Sequence, residues 1–130
     1  SILVSGGPSR NVIYRYAREG GDTSSPLVVL DVPIFSLAFD RAGQLWATTG
    51  GGALIRLNPA TGEVVQRFGD GITMSLAIHP SRNEIFVTSH RGVEVFDLAT
   101  NEFRVFSRDR DLRFGSIAFD DAGNLWGTLW

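Results

Sequence analysis

The sequence predicts an all-β fold built from a four-stranded unit that recurs about every 40 residues. Three observations support this: a five-residue block recurs, short apolar runs follow each block, and turn residues separate the runs. The block reads Ser-Leu-Ala-Phe-Asp at 36–40, Ser-Leu-Ala-Ile-His at 75–79 and Ser-Ile-Ala-Phe-Asp at 116–120. Four short strands per repeat are typical of a β-propeller blade, so we predict a segment of about three blades, an incomplete ring. A β-sandwich is the alternative, but it does not explain the recurrence.

Each repeat is expected to contain four strands, named A to D in chain order. The recurring block is strand A, and strand B is the apolar run that follows it at 45–48, 85–88 and 125–128. Strand C is expected at 53–57 and 92–96, and strand D at 64–68 and 103–106. The runs are rich in Val, Ile, Leu, Phe and Trp and too short for helices, which favours strands.

The N-terminal part supplies a unit without strand A, with strands B, C and D at 2–5, 12–16 and 27–30. The chain therefore divides into a partial blade (1–34), two blades (35–73 and 74–114) and the start of the next blade (115–130). An open arc of blades would leave apolar faces and strand edges uncovered. We therefore expect its partners to be the remaining blades of a longer chain or another copy of itself.

The turns and strand faces carry their own expectations. Gly62 and Asn101 occupy equivalent C–D turns and are the residue types that best tolerate a left-handed backbone. The small residue of strand A is expected to be buried in every repeat, at positions 38, 77 and 118. Trp46 and Trp126 share one repeat position, which favours core packing for both, whereas Trp130 has no such equivalent.

Composition excludes several classes of protein. The formal net charge is −2, so nothing resembles the basic field of a nucleic-acid-binding protein. No apolar run reaches the ~20 residues of a membrane helix, and we expect no membrane partner. The chain has no cysteine, which excludes disulfides and thiolate chemistry without fixing the compartment. We favour an extracytoplasmic location, periplasmic or secreted.

The run 36–48, Ser-Leu-Ala-Phe-Asp-Arg-Ala-Gly-Gln-Leu-Trp-Ala-Thr, continued at 55–64, resembles the repeats of virginiamycin B lyase-like (streptogramin lyase) propellers. The run 120–128 also resembles the two-component-regulator propeller repeat, and the NHL, YVTN and gluconolactonase-like propellers share much of the pattern. The lyases are metal-assisted enzymes with His and Glu side chains near the propeller axis. Neither His79 nor His90 matches that motif, so the resemblance implies the fold and no catalytic residue.

In a propeller, loops B–C and D–A lie on one edge, the usual ligand edge, and turns A–B and C–D on the other. The candidate residues on the ligand edge are His90, Arg91, Asp70, Arg108, Arg110 and Arg113. All twelve cationic side chains are Arg, and three of them alternate with two Asp at 108–113. The guanidinium fork pairs with carboxylates and phosphates, so we predict contact with a protein or a small anionic ligand. A solvated, self-paired loop is the alternative.

The two histidines are expected on opposite edges, because His79 ends a strand A and His90 follows a strand B. They therefore cannot share a metal, and we expect a turn role for His79 and solvent exposure for His90. The acidic residues lack the spacing of a calcium loop. We predict no catalytic residue, no metal and no cofactor, and hence a binding or structural module of a larger protein. The alternative is an excerpt of a streptogramin lyase-like or lactonase-like enzyme whose active-site residues lie outside this stretch.

Overall fold

The structure is a computed structural model that describes residues 2–21, 25–113 and 115–128. Within those ranges the chain forms thirteen β-strands and one 3-10 turn at Arg110–Leu112. In chain order the strands are β1 (Ile2–Gly6), β2 (Val12–Tyr16), β3 (Ser25–Val29), β4 (Ser36–Phe39), β5 (Leu45–Thr48), β6 (Leu54–Leu57), β7 (Val64–Phe68), β8 (Thr73–Ile78), β9 (Glu84–Ser89), β10 (Gly92–Asp97), β11 (Glu102–Ser107), β12 (Ile117–Phe119) and β13 (Leu125–Gly127).

The strands form four antiparallel sheets in which every hydrogen-bonded neighbour is also a neighbour in sequence. Sheet I contains β1–β3, sheet II β4–β7, sheet III β8–β11 and sheet IV β12–β13. The all-β class and the order of strands A to D are therefore confirmed. The strand limits differ from the expected ones by at most two residues, as at β3, which begins at Ser25, and at β8, which begins at Thr73.

Three separate apolar cores lie between consecutive sheets, which distinguishes this arrangement from a β-sandwich with its single core. Side chains from sheets I and II form the first core, around Ile13 and Leu45. Sheets II and III form the second around Trp46 and Phe96, and sheets III and IV form the third around Phe86. Serial face-to-face packing of four-stranded sheets is the β-propeller arrangement, and the chain is an arc of such a propeller.

Sheet II shows how one strand serves two cores. Leu45 and Ala47 of β5 belong to the core shared with sheet I, whereas Trp46 between them belongs to the core shared with sheet III. Successive side chains of a strand point to opposite faces, so a strand buried on both faces needs a continuous apolar run. This requirement explains why strand B does not alternate between apolar and polar residues.

Each sheet presents one surface to the sheet that follows it, which we call its forward face. In sheet II the forward face includes Ser36, Ala38, Trp46 and Thr48 on its first two strands, and the register pairs Ala38 with Trp46. A small residue on strand A thus faces a large ring on strand B, which keeps the layer filled without crowding. The same pairing recurs as Ala77–Phe86 in sheet III and Ala118–Trp126 in sheet IV.

The prediction that this alanine is buried in every repeat is wrong for sheet IV. Ala77 is 9% exposed and Ala38 is half-buried, but Ala118 is exposed. The expected core packing of Trp126 is also wrong, because 66% of the residue is exposed, against 1% for Trp46. The physical reason is that no sheet covers the forward face of sheet IV among the described residues. Trp130 lies outside those residues.

Hydroxyl groups on the forward face of sheet II bond to the backbone of sheet III. The Leu76 N–H donates to Ser36 Oγ at 3.4 Å. The Thr48 hydroxyl donates to the Met74 carbonyl at 2.8 Å. The two bonds tie strands β4 and β5 of sheet II to β8, the A strand of sheet III.

The same two bonds recur at the next interface, one repeat later. The Ile117 N–H donates to Ser75 Oγ at 3.3 Å, and the Thr88 hydroxyl donates to the Gly115 carbonyl at 3.1 Å. The recurring Ser of strand A and Thr of strand B therefore join consecutive blades. The sequence shows that both residues recur in the repeat but does not indicate this role, because the bonds are made between repeats.

The turns follow the sequence prediction closely. Gly62 and Asn101 have φ of +74° and +58°, the left-handed conformation expected for both C–D turns. In the A–B turn of sheet II, Asp40 Oδ1 accepts the backbone N–H groups of Ala42 and Gln44. Its Oδ2 accepts the Trp46 indole N–H at 2.8 Å, so one carboxylate fixes both the turn and the core ring.

Candidate functional site

Loops B–C and D–A of neighbouring sheets meet at one edge, which we call the loop edge. Gly50, in the B–C loop of sheet II, exchanges two backbone hydrogen bonds with Thr73 at the start of β8, at 2.7 and 2.9 Å. The Thr73 hydroxyl also donates to the carbonyl of Gly52 at 2.8 Å. These bonds hold two loops from consecutive sheets together and make the loop edge an ordered surface.

Where the A strands begin, the loop edge opens into a recess of about 340 Å³. Its lining includes the recurring Ser36, Ser75 and Ser116, with Arg10 and Phe35 at one side. The Arg10 guanidinium lies 4.8 Å from the centre of the Phe35 ring. Besides the three serines, the recess is lined by Met74, Gly115 and this single guanidinium.

A second recess on the loop edge, of about 320 Å³, brings together five of the six candidate residues. We call it the arginine recess, and it is lined by His90, Arg91, Arg108, Arg110 and Arg113. The lining carries four guanidinium groups and no carboxylate. Its two sides come from the β9–β10 hairpin and from the loop that joins sheet III to sheet IV.

A close backbone approach brings the two sides together at Gly92. This residue has φ of +118°, and a Cβ there would lie 2.2 Å from the Ser107 carbonyl oxygen and 3.2 Å from the Arg108 backbone. Any side chain at this position would push the end of β11 away from the hairpin. Gly92 therefore holds Arg108 beside Arg91.

The remaining arginines are carried by an ordered turn. The Asp109 carboxylate accepts the Asp111 N–H at 3.0 Å, and the 3-10 turn at Arg110–Leu112 follows. Leu112 packs against the core between sheets III and IV, which anchors the turn. Arg113 Nε donates to the Arg110 carbonyl at 3.2 Å. Leu112 thus fixes the backbone from which Arg110 and Arg113 project.

The expected solvent exposure of His90 is wrong. His90 is half-buried, and its Nδ1 accepts the backbone N–H of Ile72 at 3.3 Å. Its ring lies on Gly71, where a Cβ would lie 2.1 Å from the imidazole. The absence of a side chain at Gly71 creates the space for the His90 ring. The sequence alone does not indicate this, because it does not show that the two loops meet. With Nδ1 acting as an acceptor, the ring carries its proton on Nε2 and has one donor left.

Asp70, the sixth candidate, lies outside the arginine recess. It lines an adjacent recess of about 300 Å³ together with Phe68, Phe103, Glu94 and Arg91. Arg91 lines both recesses, and its guanidinium lies 3.6 Å from the largely buried Glu94 carboxylate. The loop edge thus has an acidic recess beside a basic one, with Arg91 between them.

His79 lies at the opposite edge, as expected. Its Nδ1 accepts the backbone N–H groups of Ser81 and Arg82 at 3.1 and 2.9 Å, the turn role predicted for it. His79 and His90 follow opposite ends of the β8–β9 hairpin and lie on opposite edges of the sheet. Among the described residues no three His, Asp or Glu side chains come together as a group that could hold a metal ion.

The A–B turn of sheet IV repeats the Asp–Trp arrangement at the surface. Asp120 Oδ1 accepts the N–H groups of Ala122 and Asn124, and Oδ2 accepts the Trp126 indole N–H at 3.0 Å. These donors stabilise the carboxylate, the indole of Trp126 most of all, and lower the pKa of Asp120 from 3.8 to about 2.

No protein-family model matches the sequence, and no curated protein matches it. Solved structures match it at low identity. The chain is similar to a catalytically inactive virginiamycin B lyase from Staphylococcus aureus, solved with quinupristin (TM-score 0.64, 15% identity, 92% of this chain and 42% of that one). It is also similar to the extracellular domain assigned to a hybrid two-component system of B. thetaiotaomicron (0.65, 20% identity, 92% and 18%). A third neighbour is the WD40 repeats of RRP9 (0.64, 16% identity, 89% and 37%).

These likenesses show the propeller fold and no particular family. The chain spans between 18% and 42% of the length of these three neighbours. Within the described residues, no helix has the length and apolar character needed to span a membrane.

Proposed function

We propose that this chain is a non-catalytic binding module of a larger β-propeller, in which a further blade packs on the forward face of sheet IV. One observation carries the proposal: Ser116, Ala118, Trp126 and Thr128 repeat the forward-face residues of sheets II and III, yet all four are exposed. In the two preceding interfaces the equivalent residues are buried or half-buried beneath the next sheet. A blade of the same repeat type is therefore the proposed occupant.

The hydrogen-bonding groups of this face match that occupant. Ser36 and Ser75 each accept an N–H from the next A strand, and among the described residues no group donates to Ser116 Oγ. The Thr128 hydroxyl bonds within its own sheet to Ser116. A further A strand would supply the missing N–H donor to Ser116 and a carbonyl acceptor for Thr128.

The chemistry-bearing side chains of the repeats support a structural use. Asp40 and Asp120 accept turn N–H groups and an indole N–H, and His79 accepts two turn N–H groups. Glu84 pairs with Arg104 at 2.7 Å across sheet III. We therefore assign ligand binding to the loop edge and a structural role in the turns and sheets to these residues. We also place the module outside the cytoplasm, which the likeness to an extracellular domain supports.

The alternative function, an excerpt of a streptogramin lyase-like or lactonase-like enzyme, is favoured by the likeness to a virginiamycin B lyase. The two proposals share the scaffold and differ in whether catalytic residues are supplied by the added blades.

The test is to complete sheet IV and to supply the first two strands of the next blade. Residues 1–128 are followed by a second copy of residues 89–128, so that Ser89 follows Thr128 as it follows Thr88 in the chain. Trp46 and the copied tryptophan are replaced by Phe, which leaves Trp126 as the single fluorophore. We expect its emission to shift to the blue and acrylamide quenching to fall relative to the 1–128 chain carrying Trp46→Phe.

Two variants of the extended chain control this test. Ala118→Arg places a charge on the forward face and should restore quenching, whereas Ala122→Arg, in the exposed A–B turn, should not. Equal quenching of Trp126 in the chain and the extended chain would overturn the proposal.

A further inference from the structure

We propose that the arginine recess is a binding site for a small oxyanion that carries more than one carboxylate or phosphate group. The inference rests on the proposed function only in assigning binding to the loop edge. It does not depend on what packs against sheet IV, because sheet III and the following loop supply the whole lining of the recess.

The first observation that supports an anion site is the charge of the recess. Arg108 and Arg110 have no carboxylate within ion-pair distance among the described residues, although Asp109 and Asp111 lie beside them in sequence. Asp109 turns inward to accept the Asp111 N–H, which directs its carboxylate to the turn. Among the described residues, the alternation of Arg and Asp therefore pairs neither Arg108 nor Arg110 with a neighbouring carboxylate.

The second observation is that packing fixes the backbone segments that bear the donor side chains. Gly92 sets the distance between the hairpin and the end of β11, Leu112 anchors the 3-10 turn, and His90 rests on Gly71. Positioning the donors before the ligand arrives lowers the ordering cost of binding. At two positions, Gly71 and Gly92, the absence of a side chain thus allows the close packing that shapes this recess.

The donor types define the ligand class. Guanidinium groups bind carboxylates and phosphates through paired N–H donors, and several such groups in one recess favour a multivalent anion. The imidazole of His90 also lines the recess. A volume of about 320 Å³ lies at the lower end of the range of small-molecule sites, which favours a small ligand.

The test is calorimetric titration of the full chain with citrate in one arm and pyrophosphate in the other, at constant ionic strength. We expect saturable one-to-one binding of at least one of them, and the stronger arm identifies the carboxylate or phosphate class. In the double variant Arg108→Gln/Arg110→Gln the affinity should fall about tenfold or more, since two charge-assisted contacts are lost. Both side chains are exposed, so the unfolding curve should stay unchanged.

The matched control is Arg18→Gln/Arg41→Gln, which removes the same charge from exposed residues on the opposite edge. Its affinity should equal that of the unchanged chain. No saturable binding of either anion, or an equal loss in both double variants, would overturn the inference. If neither anion binds while the extended chain still buries Trp126, this inference fails alone; if an anion binds but Trp126 stays exposed, the proposed function fails instead.

Discussion

The forward faces of sheets II and IV contain the same Ser, Ala, Trp and Thr positions and the same Asp–Trp hydrogen bond, yet one is a core and the other a surface. Trp46 is 1% exposed and Trp126 is 66% exposed, although each indole donates to the carboxylate six residues before it. The turn is therefore a local property of the repeat, whereas burial depends on the next sheet. The difference teaches that a blade of this type forms its own turns but needs its neighbour to complete its core.

The largest expected effect is at Trp46. Trp46→Ala should lower the free energy of unfolding by about 3–5 kcal/mol, because it empties a large aromatic site in a packed core. Trp46 lies 5.5 Å from Phe96 and 5.6 Å from Phe68 between ring centroids, so the loss also removes two aromatic contacts. Trp126→Ala, the matched control, should cost less than about 1 kcal/mol. Chemical denaturation measures both, and equal losses would contradict the contrast between the two faces.

A smaller effect is expected at the carboxylate beneath each ring. Asp40→Ala should cost about 2–3 kcal/mol, because it leaves the buried Trp46 indole N–H and two turn N–H groups without their acceptor. Asp120→Ala removes the same bonds at the surface, where water replaces them, and should cost clearly less. If the two variants were equally destabilised in denaturant, the turn alone would determine the effect and burial would not matter.

The hydroxyl hydrogen bonds that join consecutive sheets should contribute still less to the free energy of unfolding. Thr88→Val keeps the shape of a fully buried side chain but removes its bonds to the Gly115 carbonyl and the Ser75 N–H. We expect a loss of about 1–2 kcal/mol, measured by denaturation, since both backbone groups lose a partner. Thr128→Val on the exposed face of sheet IV is the control and should be nearly neutral. A neutral Thr88→Val would show that these hydroxyls do not join the blades.

The smallest effect is a pH dependence at Asp120. Its pKa is lowered from 3.8 to about 2, so its bonds contribute stability above pH 3.8 that is lost as the pH falls through about 2. The Trp126 indole is the main cause, so Trp126→Phe should raise the pKa towards 3.8. Titration of the Asp120 carboxyl carbon by NMR measures this directly. An unchanged pKa in the variant would mean that the indole bond does not form.

The sequence was sufficient for the fold class because each repeat carries its own turn chemistry: Asp40 and Asp120 accept turn N–H groups, and Gly62 takes the left-handed backbone. These signals are local. Burial of Trp126 and Ala118 could not be predicted from the repeat, because it depends on a neighbouring sheet. The prediction treated the positions as equivalent, and the structure shows that equivalent sequence does not ensure equivalent surroundings.

The edge on which the arginine recess lies could be predicted from the sequence, but the contacts that shape the recess could not. Assigning loops to edges placed His90, Arg91 and Arg108 on the loop edge, and strand order alone suffices for that. The half-burial of His90 and the close approach at Gly92 depend on atoms from different loops. The spacing of residues in the sequence does not predict such contacts, and the only indication of them in the sequence is the glycine at positions 71 and 92.

The most direct test of the account is the cost of Trp126→Ala, measured by denaturation in the 1–128 chain and in the chain extended by residues 89–128. We predict a loss below about 1 kcal/mol in the first and about 3 kcal/mol in the second, the lower end of the range expected at Trp46, because the added A and B strands would convert the surface into a core without supplying an equivalent of Phe96. The same small loss in both chains would contradict the claim that the forward face of sheet IV receives a further blade.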